Sequence, residues 1–141
     1  MVRFSLRFPL VVTAIVASAL ASFSACAPVA TVPPNGESVT VQVLDNSFRP
    51  IDFEIAAGTE VVFDNRGRNE HNVLPETVKS DADLVQLLAR DTSPSAWGVA
   101  STDFAPGENF SHVFTAPGVY PFYCSIHGVP GVGMYGVIRV S

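Results

Sequence analysis

The stretch FRPIDFEIAAGTEVVFDN, residues 48–65, decides the fold. It predicts two strands, around Asp52 to Ile55 and around Glu60 to Phe63, joined by a turn through Ala57-Gly58. A period of two describes a half-buried strand; a helix would repeat every 3.6 residues. Outward toward the N-terminus, SVTVQVL at 38–44 places Val39, Val41 and Val43 on one face, and Asp45-Asn46 then predicts a turn. Outward toward the C-terminus, NFSHVFTAPGVYPFYC at 109–124 predicts a strand pair around Ala116-Pro117-Gly118, and MYGVIRVS closes the chain as a last strand. Six or seven short strands broken by Gly and Pro predict an all-β, Greek-key β-sandwich.

One segment departs from that pattern. SDADLVQLLAR at 80–90 opens with Ser80 and an acid three residues on, and carries Leu84, Leu87 and Leu88 on one stripe. It predicts a short helical insertion in the long connection between about 75 and 103, packed on the sandwich by those leucines.

The N-terminus predicts processing. Arg3 and Arg7 precede an apolar run from Phe8 to Leu20, and small residues follow up to Cys26. The run is short for a bilayer span, which needs about 20 residues. Residues 1–25 therefore read as a signal peptide. Phe23-Ser24-Ala25-Cys26 resembles a lipoprotein signal, with Cys26 as the lipidated first residue of the mature chain. Ordinary cleavage near Ala25-Cys26-Ala27 is the alternative and leaves a secreted domain. Residues 26–37 are rich in proline and small residues and predict a flexible tether before a domain at 38–141.

With the signal removed, 6 basic residues face 13 acidic ones, a net charge of about −7. Such a charge disfavours nucleic acid as a partner. Lipidation of Cys26 would leave Cys124 as one unpaired thiol in an oxidising compartment, and loss of Met1 with the signal leaves Met134 as the one methionine. Both lie in YCSIHGVPGVGM, residues 123–134, together with His127. Cys124 and His127, three apart after a strand, can face one point, and Gly128, Gly131 and Gly133 let the following loop curl Met134 toward it. A second imidazole would complete the thiolate, two imidazoles and weak thioether of a blue-copper site. NRGRNEHNVLP at 65–75 offers His71. His112, within a predicted strand, reads as structural.

These two segments, 53 residues apart, resemble the cupredoxin family of plastocyanin-like small blue copper proteins, over about residues 38–141. The resemblance implies His71, Cys124, His127 and Met134 as copper ligands, one Cu(I)/Cu(II) ion, and Asn72 as the hydrogen-bonded tie between the two ligand segments. Two features depart from the small members: Ile126 stands where a proline is usual, and Met134 follows His127 by seven residues where four or five is usual. The resemblance further implies a monomeric carrier with no enzymatic activity. It would pass single electrons from a donor to an acceptor protein, such as a cytochrome or membrane oxidoreductase, outside the cytoplasm. A lipidated Cys26 would hold it at the cell envelope. His127 would be the exit, ringed by Gly128, Val129, Pro130 and Val132 as the docking patch. Three alternatives stay open: a copper storage or delivery lipoprotein of the same fold, zinc held with the help of His112, and a Cys124–His127 nucleophile.

Overall fold

The structure, a computed structural model, describes residues 35–141. The predicted signal peptide, the lipidation residue Cys26 and most of the tether lie outside the described residues. Asn35 and Glu37, at the end of the predicted tether, already bond to the domain: Asn35 Nδ2 donates to Thr59 Oγ1 at 2.9 Å, and the Glu60 amide donates to the Glu37 carbonyl at 3.0 Å.

The strands are β1 (Ser38–Leu44), β2 (Ser47–Arg49), β3 (Asp52–Ile55), β4 (Thr59–Asn65), β5 (Leu74–Pro75), β6 (Asn109–Phe114), β7 (Gly118–Val129) and β8 (Val132–Val140). They form two four-stranded sheets, ordered β2-β1-β4-β6 and β3-β8-β7-β5. The pairs β1–β4 and β3–β8 run parallel, and the other pairs are antiparallel. The period of two holds in β4, where Val61, Phe63 and Asn65 are buried and their neighbours are partly exposed. It holds again in β8, where Met134, Gly136, Ile138 and Val140 face inward.

The inward faces share one core. Val41, Val43, Phe48, Val61 and Phe63 from the first sheet meet Phe122, Cys124, Met134 and Ile138 from the second. Phe48, Phe63 and Phe122 pack edge to face, with centroids of Phe48 and Phe122 4.9 Å apart. Burial of this apolar surface is the main stabilising force of the sandwich. Cys124 and Met134 belong to the same cluster, so the predicted site lies at the edge of the core itself.

The inserted helix α1 spans Asp81–Arg90. Ser80 caps it by accepting from the Asp83 amide, and its hydroxyl donates to the Asp83 carboxylate at 2.8 Å. Leu84 is fully buried against Leu74, Val78, Ala100 and Tyr123, and Leu87 is partly buried there. Leu88 corrects the predicted stripe: it is 38% exposed and does not anchor the helix. A ten-residue helix resting on a sheet by one side buries only a narrow line, and Leu84 occupies its centre.

The segment after Cys124 brings a second correction. A curling loop was expected, but β7 runs on to Val129 and pairs with β8 from Val132, so residues 128–133 form a hairpin with Pro130-Gly131 at its tip.

Candidate metal centre

His71, Cys124 and His127 converge. One nitrogen from each histidine and the Cys124 sulfur all lie within 4.8 Å of one another. Cys124 Sγ is 3.6 Å from His71 Nδ1 and 3.8 Å from His127 Nδ1, and the two imidazole centroids are 4.8 Å apart. Cys124 and His71 are fully buried, and His127 is partly exposed.

Local structure explains each placement. His71 follows β4 in a loop that Asn65 and Asp45 hold in shape. Asn65, buried at the end of β4, donates from Nδ2 to the carbonyls of Asn69 and Phe104 and accepts from the Gly67 amide. Asp45 accepts from the Arg68 amide at 2.6 Å. The far side of the His71 ring is closed by Gly67: a Cβ there would lie 3.1 Å from His71 Nε2 and 2.9 Å from Asp45 Oδ1. His71 Nε2 itself is buried and makes no hydrogen bond among the described residues.

Cys124 and His127 owe their convergence to a bulge. Tyr123 pairs with Tyr135 and Gly128 pairs with Gly133, so the four residues 124–127 of β7 stand opposite Met134 alone in β8. A bulge re-aims side chains that a regular strand would send to alternate faces. It also accounts for the long interval from His127 to Met134. The six intervening residues form the hairpin tip, which returns the chain to its starting point and sets the fully buried Met134 across from the bulge. Gly128 and Gly133 make the return possible. A Cβ on Gly128 would sit 2.6 Å from the Met134 amide nitrogen, and Gly133 has φ of +80° with the His127 carbonyl 2.8 Å from its Cβ position.

The two segments are tied together by Asn72, which is 1% exposed. Its Oδ1 accepts from the Ser125 amide at 2.9 Å, and its Nδ2 donates to Ser125 Oγ at 2.8 Å and to Asp81 Oδ1 at 2.7 Å. Asn72 thus joins the neighbour of His71 to the neighbour of Cys124. Asp81 was not singled out by the sequence, because an acid in the first turn of a helix reads as a complement to the helix dipole.

The donor set fits a copper ion. Metal–nitrogen bonds of about 2.0 Å and a metal–sulfur bond of about 2.3 Å, separated by tetrahedral to trigonal angles, require S···N distances of about 3.5 to 3.7 Å, close to the 3.6 and 3.8 Å found. Burial, and then the proximity of His127, push the His71 imidazole below its ordinary pKa, against the opposing pull of the Asp45 carboxylate. The ring is thus kept neutral, the form that offers a lone pair to a metal. His112 takes no part in this cluster: its Nε2 pairs with the Pro94 carbonyl at 2.9 Å and its ring stacks on Trp97. That position disfavours the four-ligand zinc arrangement.

The chain on either side of His127 exposes several apolar residues. Val129 and Val132 are 57% and 66% exposed, Pro130 is exposed, Gly128 is partly so, and Ile126 is 50% exposed.

Comparison with known proteins agrees with this construction. Residues 37–141 match the family described as copper binding proteins, plastocyanin/azurin family. A chloroplastic plastocyanin of Hordeum vulgare is 34% identical over 96 residues, covering 67% of this chain and 54% of that protein, so the chain spans about half the length of that relative. A copper-containing nitrite reductase from Thermus scotoductus superposes with a TM-score of 0.53 at 30% identity, over 74% of this chain but 22% of the reductase. A purple cupredoxin from Nitrosopumilus maritimus gives 0.51 at 23% identity, over 72% of this chain and 98% of its own, and shows the shared fold. A two-sheet sandwich, a His-Cys-His cluster at its edge and a family match across the whole described domain together place this chain in the plastocyanin/azurin family of copper binding proteins, the cupredoxins.

Proposed function

We propose that this protein is a type 1 copper electron carrier, in which His71, Cys124 and His127 would hold the ion and Met134 would be a weaker fourth donor. The observation that carries the reading is the meeting of three donors from two distant segments within 4.8 Å of one another, two of them on the bulge that stands opposite Met134 in the β7–β8 ladder. Copper, alternating between cuprous and cupric states, supplies the one-electron chemistry. The chain supplies the rest. A soft sulfur suits Cu(I) and two neutral imidazoles suit Cu(II), so neither state is fully satisfied and little must move between them. Cys124 and His71 are sealed from water, which keeps the thiolate from competing reactions.

His127 is the member of the cluster with exposed surface, and the exposed Val129, Pro130 and Val132 that follow it in the chain would form the docking patch. An electron from a donor protein would enter and leave there, the donor losing one electron and the acceptor gaining it. Small apolar contacts suit redox partners that must separate quickly. No substrate pocket is needed for this work, so the reading is of a carrier and not an enzyme. The protein would act as a monomer outside the cytoplasm, held at the cell envelope through a lipid on Cys26.

The test is a visible spectrum and redox titration of the protein loaded with Cu(II). An intense blue band that bleaches and returns over one electron is the expected result. A colourless metal-loaded protein, or a band that does not cycle, would overturn the proposal. Mass measurement of the mature N-terminus tests lipidation at Cys26.

A further inference from the structure

Asn72 ties the two metal-binding segments together, and its own orientation is set in part from outside them. An Asn amide can rotate by half a turn with little change of shape, exchanging donor for acceptor. Here the Ser125 amide needs the oxygen, and both hydrogens of Nδ2 have acceptors: Ser125 Oγ at 2.8 Å and Asp81 Oδ1 at 2.7 Å. Ser125 Oγ can donate or accept and so fixes nothing. A carboxylate only accepts. The Ser125 amide and Asp81 therefore decide together which way the Asn72 amide faces, one from the ligand segment and one from outside it.

Asp81 is placed for this work. It is the first residue of α1, yet it takes no part in capping, which Ser80 and Asp83 accomplish between themselves. Both of its oxygens are turned inward to the site. Oδ1 holds Asn72, while Oδ2 accepts from the Ser101 hydroxyl at 2.6 Å and the Ser101 amide at 3.2 Å. Ser101 opens a short 3₁₀ turn that ends at Phe104, whose carbonyl receives the His71 amide at 3.4 Å and Asn65 Nδ2 at 3.0 Å. One carboxylate thus braces the neighbour of His71, the neighbour of Cys124 through Asn72, and the segment that seats His71. Hydrogen bonds to an ionised acceptor are roughly twice as strong as neutral ones.

We propose that Asp81 is a positioning residue for the metal centre, and that the inserted helix serves to deliver its carboxylate to Asn72 and Ser101. Residues adjacent to ligands tune a metal through the geometry they enforce. The proposal rests on the copper reading for its redox consequence, but its geometric consequence holds for the metal-free protein as well.

The experiment compares Asp81→Asn and Asp81→Ala with wild type and with Asp83→Asn, which removes an equal charge from the same helix turn without touching Asn72. Asn at 81 preserves volume but has one acceptor oxygen in place of two: with that oxygen on Asn72 the Ser101 N–H faces an NH2 group, and with it on Ser101 the Asn72 Nδ2 does, so one donor loses its acceptor either way. In metal-free protein, hydrogen exchange of the Ser125 amide and alkylation of Cys124 should each quicken about tenfold or more in the Asp81 variants and stay at wild-type rates in Asp83→Asn. In copper-loaded protein the loss of a nearby anion and of the clamp should favour Cu(I) over Cu(II) by about tenfold, a rise of about 59 mV.

Ser125 exchange unchanged in both Asp81 variants, or a potential no different from that of Asp83→Asn, would overturn the proposal. So would an Asp81→Asn protein that cannot fold, since the carboxylate would then be a requirement of the fold. If wild type takes no copper, the carrier reading fails, and exchange and alkylation decide the role of Asp81 alone.

Discussion

At the scale of single residues, the site divides into groups that would touch metal and groups that shape the space around them. Cys124→Ser replaces a soft sulfur by a hard oxygen of similar size, so the copper-loaded variant is expected to lack the intense blue band while its far-ultraviolet circular dichroism stays that of a folded sandwich. Met134→Leu conserves volume in the core, where such swaps cost less than about 1.5 kcal/mol. Its reduction potential should shift, with copper affinity little changed. Equal potentials for Met134→Leu and wild type would make Met134 a packing residue. Gly67→Ala would press a methyl between Asp45 and His71, where 2.9 and 3.1 Å are available. Overpacking of that kind costs about 1–3 kcal/mol, read as a lower urea midpoint of the metal-free protein. The metal-contacting types were legible in the sequence because sulfur and imidazole are scarce in this chain. Gly67 and Asp45 were not, since a glycine and an aspartate in a loop look like ordinary turn residues until the ring they confine is placed.

At the scale of elements, two features depart from a plain sandwich: the helix and the hairpin tip. Helix α1 depends on Leu84, which is fully buried, whereas Leu88 is 38% exposed. Leu84→Ala should cost about 2–5 kcal/mol by denaturant titration, and Leu88→Ala should stay within about 0.5 kcal/mol. Similar losses for the two would mean that the helix packs differently. The helix itself was legible from its cap and its 3.6-residue period, but the depth of each leucine was not, because a stripe gives a direction and not the width of what it meets. The hairpin reads as a loop in the sequence for a related reason. Three glycines within six residues signal backbone freedom, and the sequence does not show that Gly128 and Gly133 use it to pair with each other. Strands β2 and β5 are three and two residues long, too short to display any period.

At the scale of the whole molecule, stability should depend on pH through two desolvated imidazoles, the buried His71 and the partly buried His112. Burial lowers the pKa of both His71 and His112 in the fold. Their ordinary value, kept in the unfolded chain, is about 6.5. Above that pH both states carry neutral rings and the two groups add no pH dependence. Below it the unfolded chain binds protons that the folded chain refuses, so stability falls as pH drops from about 6.5 toward the lowered folded values. Urea midpoints of the metal-free protein should accordingly decrease between pH 7.5 and pH 5.5, and a flat profile would contradict the burial of both rings. Copper should narrow the effect at its own ligand, because a bound ion competes with the proton and adds its binding energy to the folded state.

The hairpin beyond His127 has one more consequence. Because Gly128 and Gly133 face each other across the ladder, whatever lies outward of them is free to lengthen or shorten by one residue on each arm without altering the phase of the chain as it re-enters at Met134. Descendants of this gene could therefore exchange the rim that meets other proteins, rung by rung, while the chamber behind it keeps its dimensions. Recognition and redox tuning would then be inherited as separate traits.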